Sequence, residues 1–133
     1  MIPEQKMLVR HRFDRAELTL KEAIDELSRN NFRLTVNRAY YSIFYAMRAF
    51  LSTINKDSSK HSGVISLFNQ YFIKTGIVSE INFKDIQSLM DLRHESDYQD
   101  FVEITEDEAK GSVDSAKAII ISLKPDLERL IEA

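Results

Sequence analysis

The sequence predicts an all-α fold: an up-and-down helical bundle of four main helices plus one shorter helix, in a single domain over residues 1–133. Three observations carry that expectation. Only three glycines and two prolines occur in 133 residues, too few turn formers for a sandwich or barrel of short strands. Apolar residues recur at steps of three and four along most of the chain, the spacing of one helix face. The composition, 44% hydrophobic and 29% charged, suits one soluble domain with one core.

From Glu4 to about Ser28, the residues Val9, Phe13, Ala16, Leu20, Ala23 and Leu27 form one stripe of a long first helix, and Asn30-Asn31 closes it. The second helix, Leu34 to Ile54, shows two faces at about 100° per residue. Val36, Tyr40, Ile43, Met47, Phe50 and Ile54 lie on one side, and Leu34, Arg38, Tyr41, Tyr45 and Arg48 on the other. A central position with neighbours on much of its circumference is therefore expected. Asn55 to Ser59 reads as a loop whose serines can cap the next helix by accepting its orphan N–H groups. That third helix runs from about Lys60 to Ile73, with His61, Val64, Ile65, Phe68, Tyr71 and Phe72 on one side. Gly76 follows as the left-handed residue that ends it. A fourth helix fits Asn82 to about Tyr98, where Phe83, Ile86, Leu89, Met90, Arg93 and Asp97 share a face. Thr105 with Glu108 makes a capping box for the last helix. Its stripe of Ala109, Val113, Ala116, Ile120, Leu123, Leu127 and Leu130 keeps phase through Pro125, so a kink is predicted there in preference to a stop.

Several function classes are excluded by composition. Without cysteine there is no disulfide, thiolate metal site or thiol nucleophile, and no glycine-rich loop is present to cradle a nucleotide phosphate. No serine sits in a Gly-x-Ser-x-Gly elbow. No apolar run approaches the roughly 18 residues of a membrane span, and Met1-Ile2-Pro3-Glu4 lacks a signal-peptide pattern, so a cytoplasmic protein without membrane contact is the default. The net charge of -3 conceals an asymmetry: residues 1–60 hold eleven Lys/Arg against seven Asp/Glu, and residues 61–133 hold seven against fourteen. Such halves either attract each other within one bundle or leave a basic face for a partner.

On the second helix Arg38, Tyr41, Tyr45 and Arg48 fall within roughly an 80° wedge. Guanidinium forks suit phosphates and phenol rings stack on bases, so this stripe is a candidate site for a nucleotide or an RNA strand. The structural alternative packs the tyrosines at a helix contact and pairs the arginines with acids. Arg93 and Asp97 sit one turn apart on an apolar face, where an unpaired charge is costly, so both need partners. Arg before Asp is the poorer order for a pair within one helix, and Arg38 with Asp97 across the second and fourth helices is the pair expected. It reads either as a buried structural pair or as the polar floor of a ligand groove. His11, His61 and His94 have no partner three or four residues away, so no metal site is predicted. His61 reads as a hydrogen-bonded core or capping residue and His94 as exposed. No cofactor and no catalytic residue follow from these patterns.

Three stretches then stand in order: Asn37-Arg38-Ala39-Tyr40-Tyr41-Ser42-Ile43-Phe44-Tyr45; Lys60-His61-Ser62-Gly63-Val64 with Phe68 and Phe72; and Leu92-Arg93-His94-Glu95-Ser96-Asp97-Tyr98. Together they resemble the signature stretches of HEPN domains (higher eukaryotes and prokaryotes nucleotide-binding), over nearly the whole chain. The resemblance implies an all-α bundle, frequent homodimers and, in many members, a minimal nucleotidyltransferase partner in a complex or toxin–antitoxin pair. Asn37 and His61 are carried as structural polar residues. Active HEPN ribonucleases carry an Arg followed roughly four to six residues on by a His, two copies meeting across a dimer; here Tyr98 stands at the histidine place after Arg93. A phenol, with a usual pKa of about 10, is a poor general base at neutral pH. What is implied is the subgroup with Arg-x-x-x-Asp-Tyr and without the nuclease histidine. Such a protein would bind a nucleotide, RNA or nucleotidyltransferase through Arg38, Tyr41, Tyr45, Arg48, Arg93, Asp97 and Tyr98. Two alternatives stay open: a metal-independent ribonuclease using Arg93 with Tyr98 or His94, and a purely structural dimeric interaction module.

Overall fold

Proline opens the first helix at no cost, because the N–H it lacks would have no intrahelical partner in the first turn. In the computed structural model, which describes residues 1–133, α1 spans Pro3–Ser28 and is followed by α2 (Phe32–Ser52). The stripe expected on α1 is buried from Val9 to Ala23, with Leu27 half-buried. Thr19 joins it, its hydroxyl satisfied by donating to the Arg15 carbonyl at 2.7 Å. The turn to α2 places Asn30 at φ 62°, a left-handed conformation that asparagine tolerates better than most side chains.

α2 is the central helix and packs against all the others. Its buried face carries Val36, Tyr40, Ile43, Met47 and Phe50 as expected, but Ile54 lies beyond the helix end and is exposed. α3 (His61–Phe68) continues into a π-helical turn, Asn69–Ile73, in which the Lys74 N–H reaches back five residues to the Asn69 carbonyl at 2.9 Å. Phe68 and Phe72 meet Phe50 edge-on, with centroids 5.5 and 5.2 Å apart. The expected serine cap is not made. The residue before α3 is Lys60, and Ser58 Oγ instead accepts that residue's N–H at 3.2 Å. Gly76 does supply the left-handed residue, at φ 80°.

α4 (Phe83–Tyr98) is capped by Asn82, whose Oδ1 accepts the Lys84 N–H at 2.9 Å. α5 (Glu106–Glu132) opens with both halves of the Thr105–Glu108 capping box and continues through Pro125, whose ring is exposed. A main core drawn from every helix surrounds α2, and a small second cluster of Val36, Ile104 and Ala109 closes the end where α4 returns to α5. No helix is long and apolar enough to cross a membrane.

Candidate functional site

Two neighbouring tyrosines on α2 point in different directions because successive helical residues are about 100° apart. Tyr40 faces inward and is fully buried, while Tyr41 is half-buried at the mouth between α2 and α4. Arg93, one turn before the end of α4, lies over both rings, its Cζ 5.2 Å from the Tyr40 centroid and 5.4 Å from that of Tyr41. The Tyr98 ring closes a third side, also at 5.4 Å. Arg93 Nη2 donates to Tyr41 Oη at 3.2 Å and Tyr98 Oη at 3.4 Å. Three rings thus cage one guanidinium, a contact worth about 0.5–2 kcal/mol per ring, larger where water is excluded.

The expected pairing of Arg38 with Asp97 is corrected by this geometry. Asp97 Oδ2 lies 2.9 Å from Arg93 Nε, one turn back on the same helix. Nε–H is not aligned for a hydrogen bond, so the contact is an ionic one. The rule of sequence order is outweighed because the phenols of Tyr41 and Tyr98 hold the guanidinium beside the carboxylate. Arg38 reaches Asp97 only through Asn37. Arg38 Nε and Nη2 donate to Asn37 Oδ1 at 3.1 and 2.8 Å, and Asn37 Nδ2 donates to Asp97 Oδ2 at 3.4 Å. Asn37 is therefore a polar bridge, and Arg38 also lies 3.7 Å from Glu22 Oε1 on α1.

The expected stripe is divided. Tyr41 and Tyr45 stay together, centroids 5.9 Å apart, and Arg38 lies over Tyr41 at 5.4 Å. Arg48 turns to a different opening, where its Nη2 and Nε donate to Asp57 at 2.8 and 3.3 Å. Its place beside Tyr45 is taken by Arg15 of α1, 4.6 Å over the ring. Sequence reading missed Arg15, because which α1 residue meets Tyr45 depends on how the two helices are set against each other. It also assigned Tyr40 to the core without the polar role it has.

The charges are biased by this packing. Burial alone would lower the Arg93 pKa, but Tyr41, Tyr98, Asp97 and Tyr40 outweigh it and hold the group above its usual value. Burial pushes the Tyr40 phenol up to about 12, against the opposing influence of Arg93. His61 is pulled below 6.5, first by burial and then by Arg93, and its Nδ1 sits 3.3 Å from Tyr40 Oη. It is thus a hydrogen-bonded residue at the core edge, among the rings of Phe44, Tyr41 and Tyr40. His94 is exposed beside Tyr98. The assembled groups are a caged cation, neighbouring phenols in edge-on and tilted contact, and a second guanidinium at the rim, chemistry suited to holding an anionic aromatic ligand.

Comparisons with known proteins bear on the family. Residues 9–125 match the HEPN domain family model. The chain is 31% identical over 130 residues to a "UPF0332 protein" of Thermotoga maritima, covering 98% of each. It is 35% identical over 100 residues to the Methanocaldococcus jannaschii protein named "Putative toxin MJ0605", covering 75% of this chain and 74% of that one. A second protein of that organism, named "Putative toxin MJ0142", is 33% identical over 97 residues, 73% of this chain and 66% of that one.

Proposed function

The chain belongs to the HEPN domain family, and from that premise we propose that it is a non-catalytic member of a toxin–antitoxin-type pair that binds a nucleotide or RNA. The ligand lies across Arg38, Tyr41 and Tyr45 and meets the Arg93–Asp97–Tyr98 cluster. Its partner in the pair is a minimal nucleotidyltransferase, and the protein acts as a homodimer. The names of the two archaeal relatives support the toxin–antitoxin context.

One observation carries the non-catalytic reading. The side chain that meets Arg93 five residues on is the phenol of Tyr98, and no imidazole is hydrogen-bonded to the guanidinium. General base catalysis of RNA cleavage needs a group that takes a proton near neutral pH, within hydrogen-bond reach. The competing reading, a ribonuclease in which Arg93 acts with Tyr98, is favoured by their 3.4 Å contact. Incubating purified protein and an Arg93→Ala variant with mixed RNA separates the two. The proposal expects no cleavage that depends on Arg93, and Arg93-dependent cleavage overturns it. Binding is read with a fluorescent RNA oligomer: affinity should fall with added salt and on Arg38→Ala, because guanidinium–phosphate contacts release counterions.

A further inference from the structure

A second opening lies beyond Tyr41, between α2, the 57–60 loop and the start of α3. It has a volume of about 560 Å³ and is lined by Phe44, Arg48, Asp57, Ser58, Ser59 and His61. It is a hollow largely open to solvent, with room for a small polar ligand and its water.

His61 lines it, and the pairing of its ring decides where its proton sits. Tyr40 is fully buried, and the one partner of its hydroxyl is His61 Nδ1. A buried hydroxyl is rarely left unpaired, and a phenol pushed up to about 12 keeps its proton, so the O–H donates and Nδ1 accepts. A neutral imidazole with Nδ1 as acceptor carries its own proton on Nε2. Nothing in the protein accepts from Nε2. Phe44, its ring centroid 4.4 Å from that of the imidazole, holds the ring in place.

Positive charge is in surplus beside this donor. Arg48 and Arg12 both converge on Asp57, at 2.8 and 3.7 Å, so two cations share one carboxylate. Burial and the neighbouring Arg48 pull Arg12 below its usual pKa, as crowded like charges do. The Asp57 carboxylate opposes an incoming anion, but its oxygens are engaged by Arg48 and by the Ser58 N–H at 2.8 Å.

We propose that this cavity is a phosphoryl subsite, in which a phosphomonoester or phosphodiester oxygen accepts from His61 Nε2–H and from Arg48, with Ser59 at the rim. It rests on the nucleotide or RNA reading above and adds the place of a phosphate. With its Nε and Nη2 edge held by Asp57, Arg48 keeps Nη1 for a charge-assisted bond to a phosphate oxygen.

Ring-nitrogen spectra of ¹⁵N-labelled protein test this, recorded with inorganic phosphate, AMP, an eight-residue oligouridylate, and adenosine as the phosphate-free control. The free protein should show His61 with its proton on Nε2. The three phosphate-bearing probes should shift that signal saturably, and adenosine should not. Arg48→Gln should weaken AMP binding about tenfold or more, whereas Asp57→Asn should tighten it. Both variants break the same ion pair, so a folding defect would move them the same way. A proton on Nδ1, or no His61 response to any probe at tens of millimolar, overturns the subsite. Oligouridylate that binds and shifts the backbone amide signals of Tyr41 and Tyr98 but leaves the His61 ring nitrogens unmoved also overturns it, with the RNA reading intact. A His61 response to phosphate and AMP without oligouridylate binding supports the subsite and removes RNA as the ligand.

Discussion

Replacing Gly63 with alanine tests how tightly the 57–60 loop is held against α3. A Cβ built at Gly63 would lie 2.1 Å from Ser58 Oγ and 2.8 Å from Ser58 Cβ. Rotating the serine side chain relieves the first contact but not the second, because Cβ is fixed to the backbone. The loop itself must therefore shift, an overpacking cost of about 1–3 kcal/mol. Against it stands the gain from alanine over glycine inside a helix, about 0.5–1 kcal/mol. The net expectation is a loss of about 1–2 kcal/mol, read as a lower urea midpoint with an unchanged m-value. Ser58→Gly removes both clashing atoms, and the next neighbour, Lys60 Cβ at 3.9 Å, is an ordinary contact. In that background Gly63→Ala should instead stabilise by about 0.5–1 kcal/mol, so the cycle couples the two sites with opposite signs. A single Gly63→Ala variant as stable as the parent would refute the reasoning.

Other perturbations have expected outcomes of their own. Asp97→Asn leaves the caged Arg93 cation without its carboxylate; with the two side chains 13% and 22% exposed, a loss of about 1–3 kcal/mol is expected in urea unfolding, and an unchanged midpoint would count against the ion pair. Pro125→Ala restores a helical N–H at an exposed position inside α5 and should raise the melting temperature, by about 1–3 kcal/mol in stability; a lower one would mean the proline shapes the helix. The depressed pKa of His61 implies that the unfolded chain binds its proton first, so this group's contribution to stability is lost as pH falls from 6.5 through the lower folded-state value. A His61→Gln variant should show a shallower loss over that window, and an unchanged slope would contradict the assignment.

How far sequence reading carries depends on what each feature requires. Helix existence and the buried stripes of α1, α2 and α5 were legible because periodicity and capping are local: Val9 to Ala23, the Thr105–Glu108 box and Gly76 each act within a turn or two of chain. Two local readings still erred. The second helix was extended to Ile54, on the side of Val36 and Tyr40, although it ends at Ser52, and the serine cap expected on α3 was displaced by Lys60. Both errors sit at a helix end, where one or two residues of boundary change which side chain faces the core.

Within the site, the residue types were readable and their partners were not. Arg38, Arg93 and Asp97 were recognised as charges in need of neighbours, yet the pair formed between Arg93 and Asp97, and Asn37 bridges to Arg38. The reason is that an ion pair is chosen by which side chains the fold holds in place, and Tyr41 and Tyr98 hold Arg93 from two different elements.

The sequence by itself determined an all-α chain, a central second helix, and a set of arginines and tyrosines on a known order of motifs. Those follow from spacing along one chain, which every helix converts into a face in the same way. Only the tertiary structure decided that Arg48 parts from the stripe toward Asp57 and His61, that Arg15 takes its place on Tyr45, and that Tyr40 orients an imidazole. These depend on how separate helices are rotated and offset against one another. That setting is a property of the whole packed core, and no single segment encodes it.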